Sequence, residues 1–291
     1  EWEELASIES DVQQLYFFDE EYGWAVGDSG KMFRTQDGGE NWSDHSIEIN
    51  DRIRSIYFLS KDVGFITGRN FFLQTDDQGE TWYPNDFGAD SLTMLSSLHV
   101  GGDSKIYLLS NFGDVYKSDL SGIDFKIIHS FGRWGYHHLD MTQYPVGFAH
   151  QLLGGHFFKT SDGGTTWNSL SLPSRWGSEL TFIDEHRGWV TENFMLSSQM
   201  HHDVSVYMTV NGGLSWVTQA TLSGYELHDM KFVDQQEGWA SRITELLHTD
   251  NGGVSWDIQF TMGQGNEVEY IRDTFFLDGE HGWLVTSPGR V

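Results

Sequence analysis

Three groups of side chains in this 291-residue chain have the right types for chemistry. The first is its 43 Asp and Glu residues. Two facing carboxylates are what a glycosidase needs, one as acid and one as base or nucleophile. With so many acids some pair always looks plausible, so abundance alone selects nothing. The second group is His137, His138, His150, His156, His201, His202 and His228. Imidazoles can hold zinc, but these follow no ligand spacing, so no metal site is expected. The third is a set of Asp-Gly strings such as TQDGGENW (Thr35–Trp42), which could be taken for calcium loops. They lack the spread of acidic ligands that calcium requires. Nucleophile elbows, phosphate loops and H-E-x-x-H are absent from the sequence. There are no cysteines, which excludes disulfides, thiolate catalysis and Cys-based zinc. The expectation is no cofactor and no metal.

Charge narrows the partners further. Lys+Arg number 17 and the formal net charge is −26. A field of that sign repels nucleic acids and anionic lipid surfaces. No apolar run reaches the roughly 18 residues of a membrane helix. Neither nucleic-acid binding nor membrane insertion is expected. The start at Glu1-Trp2, without an initiator Met, gives the expectation of a removed or trimmed leader.

The Asp-Gly string is also the key to the elements that position everything else. It returns as TDDQGETW (Thr75–Trp82), TSDGGTTW (Thr160–Trp167), TVNGGLSW (Thr209–Trp216) and TDNGGVSW (Thr249–Trp256), with a degenerate copy, SDLSGIDF, at Ser118–Phe125. The final aromatics lie 40, 43, 42, 49 and 40 residues apart. Counting back 40 from Trp42 lands on Trp2. A second signature, an apolar run, an acidic turn, then Gly and an aromatic, precedes the boxes, as in LYFFDEEYGW (to Trp24) and MKFVDQQEGW (to Trp239). Its last copy, TFFLDGEHGW (to Trp283), is followed by LVTSPGRV with no box. Four short strands per unit of about 40 residues is the period of a β-propeller blade. The expectation is one all-β domain over 1–291, a seven-bladed propeller of four-stranded blades. Trp2–Ile8 would complete the blade formed by Asp273–Val291.

Within a box of form T-x-D-x-G-x-x-W, a carboxylate or carboxamide can accept backbone N–H groups in a tight turn. The glycine supplies positive φ and the Trp an anchor. Asp37, Trp42, Asp77, Trp82, Asp162, Trp167, Asn211, Trp216, Asn251 and Trp256 are therefore read as structural. These boxes identify the Asp-box, or BNR, repeat found in sialidases, sortilin-type receptors, xyloglucan-degrading enzymes and the photosystem II stability/assembly factor family. The fuller unit, best seen in GWAVGDSGKMFRTQDGGENW (Gly23–Trp42), most resembles the last of these. That resemblance implies a secreted, non-enzymatic binding or scaffolding propeller. The family's basic patch contrasts with the net charge of −26. The sialidase signature is missing, because no Arg-Ile-Pro occurs.

Propeller ligands usually sit where the first strand of each blade begins, opposite the boxes. The residue six before each acidic turn is Gln13, Arg54, Ser96, His137, Ser178, His228 or Arg272, whereas the positions two and four further on are mostly apolar. Nearby lie Trp134, Trp176 and Tyr270, and Trp with Arg is the composition of binding hot spots. The candidate axial-face residues are Arg54, Trp134, His137, Trp176, Glu179, His228, Tyr270 and Arg272. The reading is a monomeric, exported protein that recognises a protein partner there and does no chemistry. A glycan-binding protein and a glycosidase or sialidase-like hydrolase are the alternatives.

Overall fold

Alternation of apolar and polar residues sets the strands. In VQQLYF (Val12–Phe17), Val12, Leu15 and Phe17 are buried and the residues between are half-exposed, as expected of a strand with one face on a core. The computed structural model describes residues 2–8, 12–85, 93–132, 135–141, 143–151, 156–173, 177–193, 202–224, 227–262, 269–287 and 289–291. Its strands, in chain order, are β1 (Val12–Phe17), β2 (Gly23–Gly27), β3 (Met32–Thr35), β4 (Ser43–Asp44), β5 (Ser55–Phe58), β6 (Gly64–Gly68), β7 (Phe71–Thr75), β8 (Tyr83–Pro84), β9 (Leu95–Val100), β10 (Lys105–Ser110), β11 (Asp114–Asp119), β12 (Lys126–Ser130), β13 (Tyr136–Asp140), β14 (Gly147–Gln151), β15 (His156–Thr160), β16 (Asn168–Ser171), β17 (Gly177–Phe182), β18 (Gly188–Asn193), β19 (His202–Thr209), β20 (Val217–Gly224), β21 (His228–Phe232), β22 (Gly238–Ser241), β23 (Glu245–Thr249), β24 (Asp257–Thr261), β25 (Tyr270–Phe276) and β26 (Gly282–Ser287).

Each consecutive set of four, from β1–β4 to β21–β24, forms one sheet in sequence order, the blade of an all-β propeller. The chain divides into two compact units, residues 10–151 with 157–169, and residues 1–9 with 152–156 and 170–291.

The seventh repeat departs from the expectation of seven four-stranded blades. The described residues form six four-stranded sheets and a two-stranded sheet, β25–β26. Residues 5–8 and 289–291 meet beside it through Leu5 N–H to Val291 O (3.0 Å), Val291 N–H to Ala6 O (3.0 Å) and Ile8 N–H to Gly289 O (2.7 Å). Among the described residues one bridge joins them, Ser7 to Arg290.

Within each unit the core lies between adjacent sheets. Trp24, Met32, Ile53, Ile56 and Phe58 join the first two, and Trp189, Val206, Met230 and Phe232 join the fifth and sixth. The aromatic of each Gly-aromatic pair reaches the next blade. Trp24 stacks on Phe58 (5.2 Å, 8°) and Trp189 on Phe232 (3.6 Å, 5°). Such pairs contribute about 0.5–1.5 kcal/mol beyond area burial. The Gly is needed because a Cβ at Gly23 would stand 2.4 Å from the Phe17 ring. The acidic turn residue caps its own turn. Asp19 accepts the N–H groups of Glu21 (3.0 Å) and Tyr22 (2.8 Å), and Asp234 those of Gln236 and Glu237 (both 2.7 Å).

The boxes share the hydrogen bonds of their threonine and of the Asp or Asn two residues on. In the first, the Thr35 hydroxyl donates to Asp37 (2.9 Å) and accepts the Gly39 N–H (2.8 Å). Asp37 accepts the Asn41 N–H (2.9 Å), and the Trp42 indole donates to Gly39 O (3.0 Å). Asn211 and Asn251 accept the Ser215 and Ser255 N–H groups in the same way (2.9 and 3.0 Å). The carboxylate accepts backbone N–H as the sequence led us to expect, and the buried threonine adds to it at the centre of each box. In the degenerate copy, Phe125 still packs edge-on to Phe72 (5.1 Å, 80°).

Candidate functional site

The first strand of a blade does not simply run out of its core. In six of the seven such strands an extra residue is inserted where pairing with the second strand begins. Gln13 stands between the paired Val12 and Gln14, Ser96 between Leu95 and Ser97, and His137 between Tyr136 and His138. Ser178 and Glu179 together face the single Thr191, Asp229 and Met230 the single Ala240, and Arg272 stands between the paired Ile271 and Asp273. Only β5, which Arg54 precedes, pairs regularly. These bulges fall on, or directly beside, the polar positions singled out in the sequence. A bulge re-aims side chains and is common next to functional sites. Asp229 also carries a positive φ of 48°, uncommon for a residue other than glycine.

In the unit of residues 10–151 and 157–169, Arg54 is half-buried in a cluster of charges at the start of β5. Arg52 pairs with Asp28 (2.6 Å) and Arg69 with Asp51 (3.5 Å). Arg54 has no carboxylate at ion-pair distance among the described residues, and its Nε is buried without a hydrogen-bond partner. Burial, then the neighbouring Arg52, pulls its pKa below the usual arginine value, though a guanidinium stays charged. Asp28, Ser29, Asn50, Asp51, Arg52 and Arg54 line a cavity of about 430 Å³. Two of the three arginines there, Arg52 and Arg69, are thus internally paired, and Arg54 is the cation left for an external anion.

In the unit of residues 1–9, 152–156 and 170–291, three carboxylates occupy one register position in successive blades. Glu179 on β17, Asp229 on β21 and Asp273 on β25 each stand five residues before their turn aspartates Asp184, Asp234 and Asp278. Asp229 accepts the Thr274 N–H (2.7 Å) and the Thr274 hydroxyl. Lys231 lies 3.6 Å from Asp229 and donates to Thr274 O (3.2 Å). Burial, then the charges of Asp229 and Asp273, raises the Glu179 pKa to about 8, with Lys231 opposing. Burial pulls the Lys231 ammonium down, but Asp229, Asp273 and Glu179 outweigh it and leave its pKa raised. Lys231 keeps 43% of its side chain exposed, so water reaches the group. Beside it the Arg272 guanidinium lies over the Tyr270 ring (5.0 Å) and reaches Ser287 (3.4 Å).

The structure therefore brings Glu179 together with three residues the sequence reading did not name: Asp229, Lys231 and Asp273. A signal for them existed, since charged residues stand where other blades have Gln14 and Ser55, or Tyr16 and Tyr57. His228 is exposed, pairs with Ser241 in the β21–β22 ladder, and its carbonyl accepts the Ser241 hydroxyl (2.9 Å). Trp134, Trp176 and His201 lie outside the described residues; His137 is placed only by its backbone on β13. Among the described residues no cluster of His, Asp and Glu has metal-site geometry.

Comparison with known proteins follows this geometry. The family described as photosynthesis system II assembly factor YCF48 matches residues 1–130. The chain is 23% identical to the chloroplastic photosystem II stability/assembly factor HCF136 of Arabidopsis thaliana, across 92% of its own length and 71% of that protein's. It is 22% identical to the photosystem II assembly lipoprotein Ycf48 of a Synechococcus species, across 94% and 82%. A solved structure described as YCF48 bound to D1 peptide superposes with a TM-score of 0.77 at 18% identity, covering 97% of this chain and 92% of that one. At such identity the structural likeness is one of fold. With the repeated box geometry, these similarities make the chain an Asp-box β-propeller resembling the photosystem II stability/assembly factor family.

Proposed function

We propose that this chain is a non-catalytic, assembly-factor-like propeller that binds a protein partner on the blade ends where the first strands begin. The observation that carries this reading is Arg54, a half-buried cation with no carboxylate at ion-pair distance among the described residues, in an open recess. Burying an uncompensated charge is costly, and an incoming carboxylate offsets that cost through a bidentate pair. The preferred ligand is an extended peptide presenting a carboxylate. A YCF48 structure is described with a bound D1 peptide, which supports a peptide for a chain of this fold. Arg272 on Tyr270, and the exposed His228, are further contacts in this proposal, as are Trp134, His137 and Trp176. The protein acts as a monomer and is exported; the Synechococcus relative is named a lipoprotein, which supports the latter.

We also propose that residues 1–291 fold as a single seven-bladed propeller, with Trp2–Ile8 completing the blade of Asp273–Val291. The backbone bonds between 5–8 and 289–291 favour it. So does Trp2, which meets Phe276 edge-on at 6.1 Å and 81°, as Trp42 meets Phe17 and Trp256 meets Phe232.

A hydrolase is the second reading, favoured by one observation: Glu179, protonated at neutral pH, beside the carboxylates of Asp229 and Asp273. An acid kept neutral next to an ionised carboxylate is a glycosidase pattern. Asp229 is already engaged by Thr274 and Lys231, which weighs against it. One experiment separates the two. A fluorescent acidic peptide is titrated with wild-type, Arg54→Ala and Glu179→Gln protein, alongside an assay on aryl glycosides. Arg54→Ala is expected to weaken binding at least tenfold, about the 1.4 kcal/mol or more of a lost arginine contact. Hydrolysis that disappears in Glu179→Gln would overturn the binding reading.

A further inference from the structure

The fourth strand of each complete blade has no strand on its far side among the described residues. Such an edge carries unpaired N–H and C=O groups, and proteins guard it by shortness, charge or proline. Five of the six edges here are guarded in one of these ways. β4 and β8 have two residues each, with Asp44 on the first and Pro84 on the second. β12 opens on Lys126 and β24 on Asp257, and each has five residues. β16 is uncharged but has four residues. The exception is β20, with eight residues, VTQATLSG, and neither a charge nor a proline.

The length comes from the hairpin as a whole, since β19 also runs for eight residues. Pairing of β19 with β20 continues to His202–Gly224, whereas in the sixth blade β23 and β24 stop at Glu245–Thr261. The extension is held from the sixth blade, where Arg242 donates to Ser223 O (3.1 Å) while pairing with Glu245 (3.1 Å). Ala220 and Leu222 pack on the core between the two blades, and Val217, Thr218, Thr221 and Ser223 are exposed. The two ends of the strand differ in chemistry. At its start Val210, Leu214 and Val217 are exposed by 57, 74 and 64%. The first box has Gln36, Glu40 and Ser43 at these places and the fourth has Ser161, Thr165 and Asn168, so the box itself does not require apolar residues there. At the other end Asp203 stands opposite Ser223 and accepts its hydroxyl (2.9 Å), with no Lys or Arg at ion-pair distance among the described residues.

We propose that the outer edge of β20 is a docking site for an extended segment of a partner protein, basic at one end and apolar at the other, which adds to the fifth blade as a further strand. In strand addition the main-chain hydrogen bonds give affinity and the side chains give specificity. Charge selects the occupant. A net charge of −26 draws a cationic segment toward the molecule and repels a second copy of it. The uncharged edge lets two backbones close without burying a carboxylate. Antiparallel addition, the more stable pairing, sets the basic N-terminal residue of the segment at Asp203 and its apolar C-terminal residues at Leu214 and Val217. Val217 to Ser223 spans about 20 Å, which about seven residues cover. This edge belongs to the unit of residues 1–9, 152–156 and 170–291, and Arg54, which calls for the opposite charge, belongs to the other.

The test is titration of the full chain with the peptide KTVTLTV, blocked at both ends so that its lysine carries the charge, read by calorimetry and by hydrogen exchange. The expected result is saturable binding that added salt weakens, with new amide protection at Val217–Ser223. Thr221→Lys charges an exposed edge position and keeps its N–H, so it is expected to weaken binding at least tenfold at unchanged Tm, and Thr221→Glu to retain binding. Asp203→Asn, which still accepts the Ser223 hydroxyl, is expected to weaken it severalfold. Arg54→Ala is expected to bind this peptide as wild type does, so the two sites fail separately. The proposal is overturned if KTVTLTV leaves β20 unprotected, if ETVTLTV binds as well, or if Thr221→Lys binds as tightly as wild type. It is also overturned if sedimentation shows a dimer that Thr221→Lys dissolves, which gives the edge to a second copy.

Discussion

At the scale of residues, the threonine hydroxyl does more for a box than its sequence prominence suggests. Thr160 donates to Asp162 (2.8 Å) and accepts N–H groups from Gly164 (3.0 Å) and Asp162 (3.3 Å), all from a fully buried position. Thr160→Val would leave those N–H groups without an acceptor, at a cost of about 1–3 kcal/mol. In a chain of this size that lowers Tm by several degrees, measurable by calorimetry. The carboxylate is less demanding. Its side-chain and backbone bonds from Thr166 hold the Asp162 pKa at about 2. Asn211 and Asn251 make the equivalent bonds uncharged. Asp162→Asn is therefore expected to leave Tm nearly unchanged and Asp162→Ala to lower it. A depressed acid also means that its contribution is present above the unfolded value and is lost as pH falls through the folded one. The stability difference between wild type and Asp162→Ala should thus shrink below about pH 4.

At the scale of elements, the strand bulges decide which polar residues gather. The strand positions of Gln13, Ser96, His137 and Arg272 were legible from the apolar-to-polar change along each first strand. The carboxylate group was not, because each bulge inserts residues that break strict alternation. Glu179, Asp229 and Asp273 thereby come into one group with Lys231, which a period of two cannot foresee. The blades themselves were legible because TQDGGENW and its copies repeat at nearly constant spacing. The two strands of the last sheet were legible in the same way, from TFFLDGEHGW (to Trp283), whereas its further partners lie at opposite ends of the sequence and meet through few bonds. Glu179 gives this level its prediction. Its folded pKa, about 8, lies above the ordinary glutamate value, so its contribution is present at acid pH and lost as pH rises toward 8. Glu179→Gln is expected to flatten the fall in stability between about pH 5 and 8, by about 1–2 kcal/mol. Urea denaturation of both proteins across that range checks it; parallel curves would remove Glu179 from the titrating group.

At the scale of the whole molecule, a net charge of −26 makes Arg54 and its neighbours an exception rather than the rule. An acidic peptide must approach against the general field and be held by the Arg54 guanidinium, whose neighbours Arg52 and Arg69 are paired with aspartates. Added salt screens both effects, with a Debye length of about 8 Å at physiological ionic strength. The repulsion acts over longer distances than the Arg54 contact, so moderate salt is expected to raise the association rate while leaving the dissociation rate little changed. The measurement that bears most directly on the central claim is hydrogen–deuterium exchange of the full chain with and without the acidic peptide. The account predicts protection concentrated at residues 51–55, lost in Arg54→Ala, with the Asp-boxes unaffected. Protection centred on the boxes, or an unchanged footprint in Arg54→Ala, would contradict it.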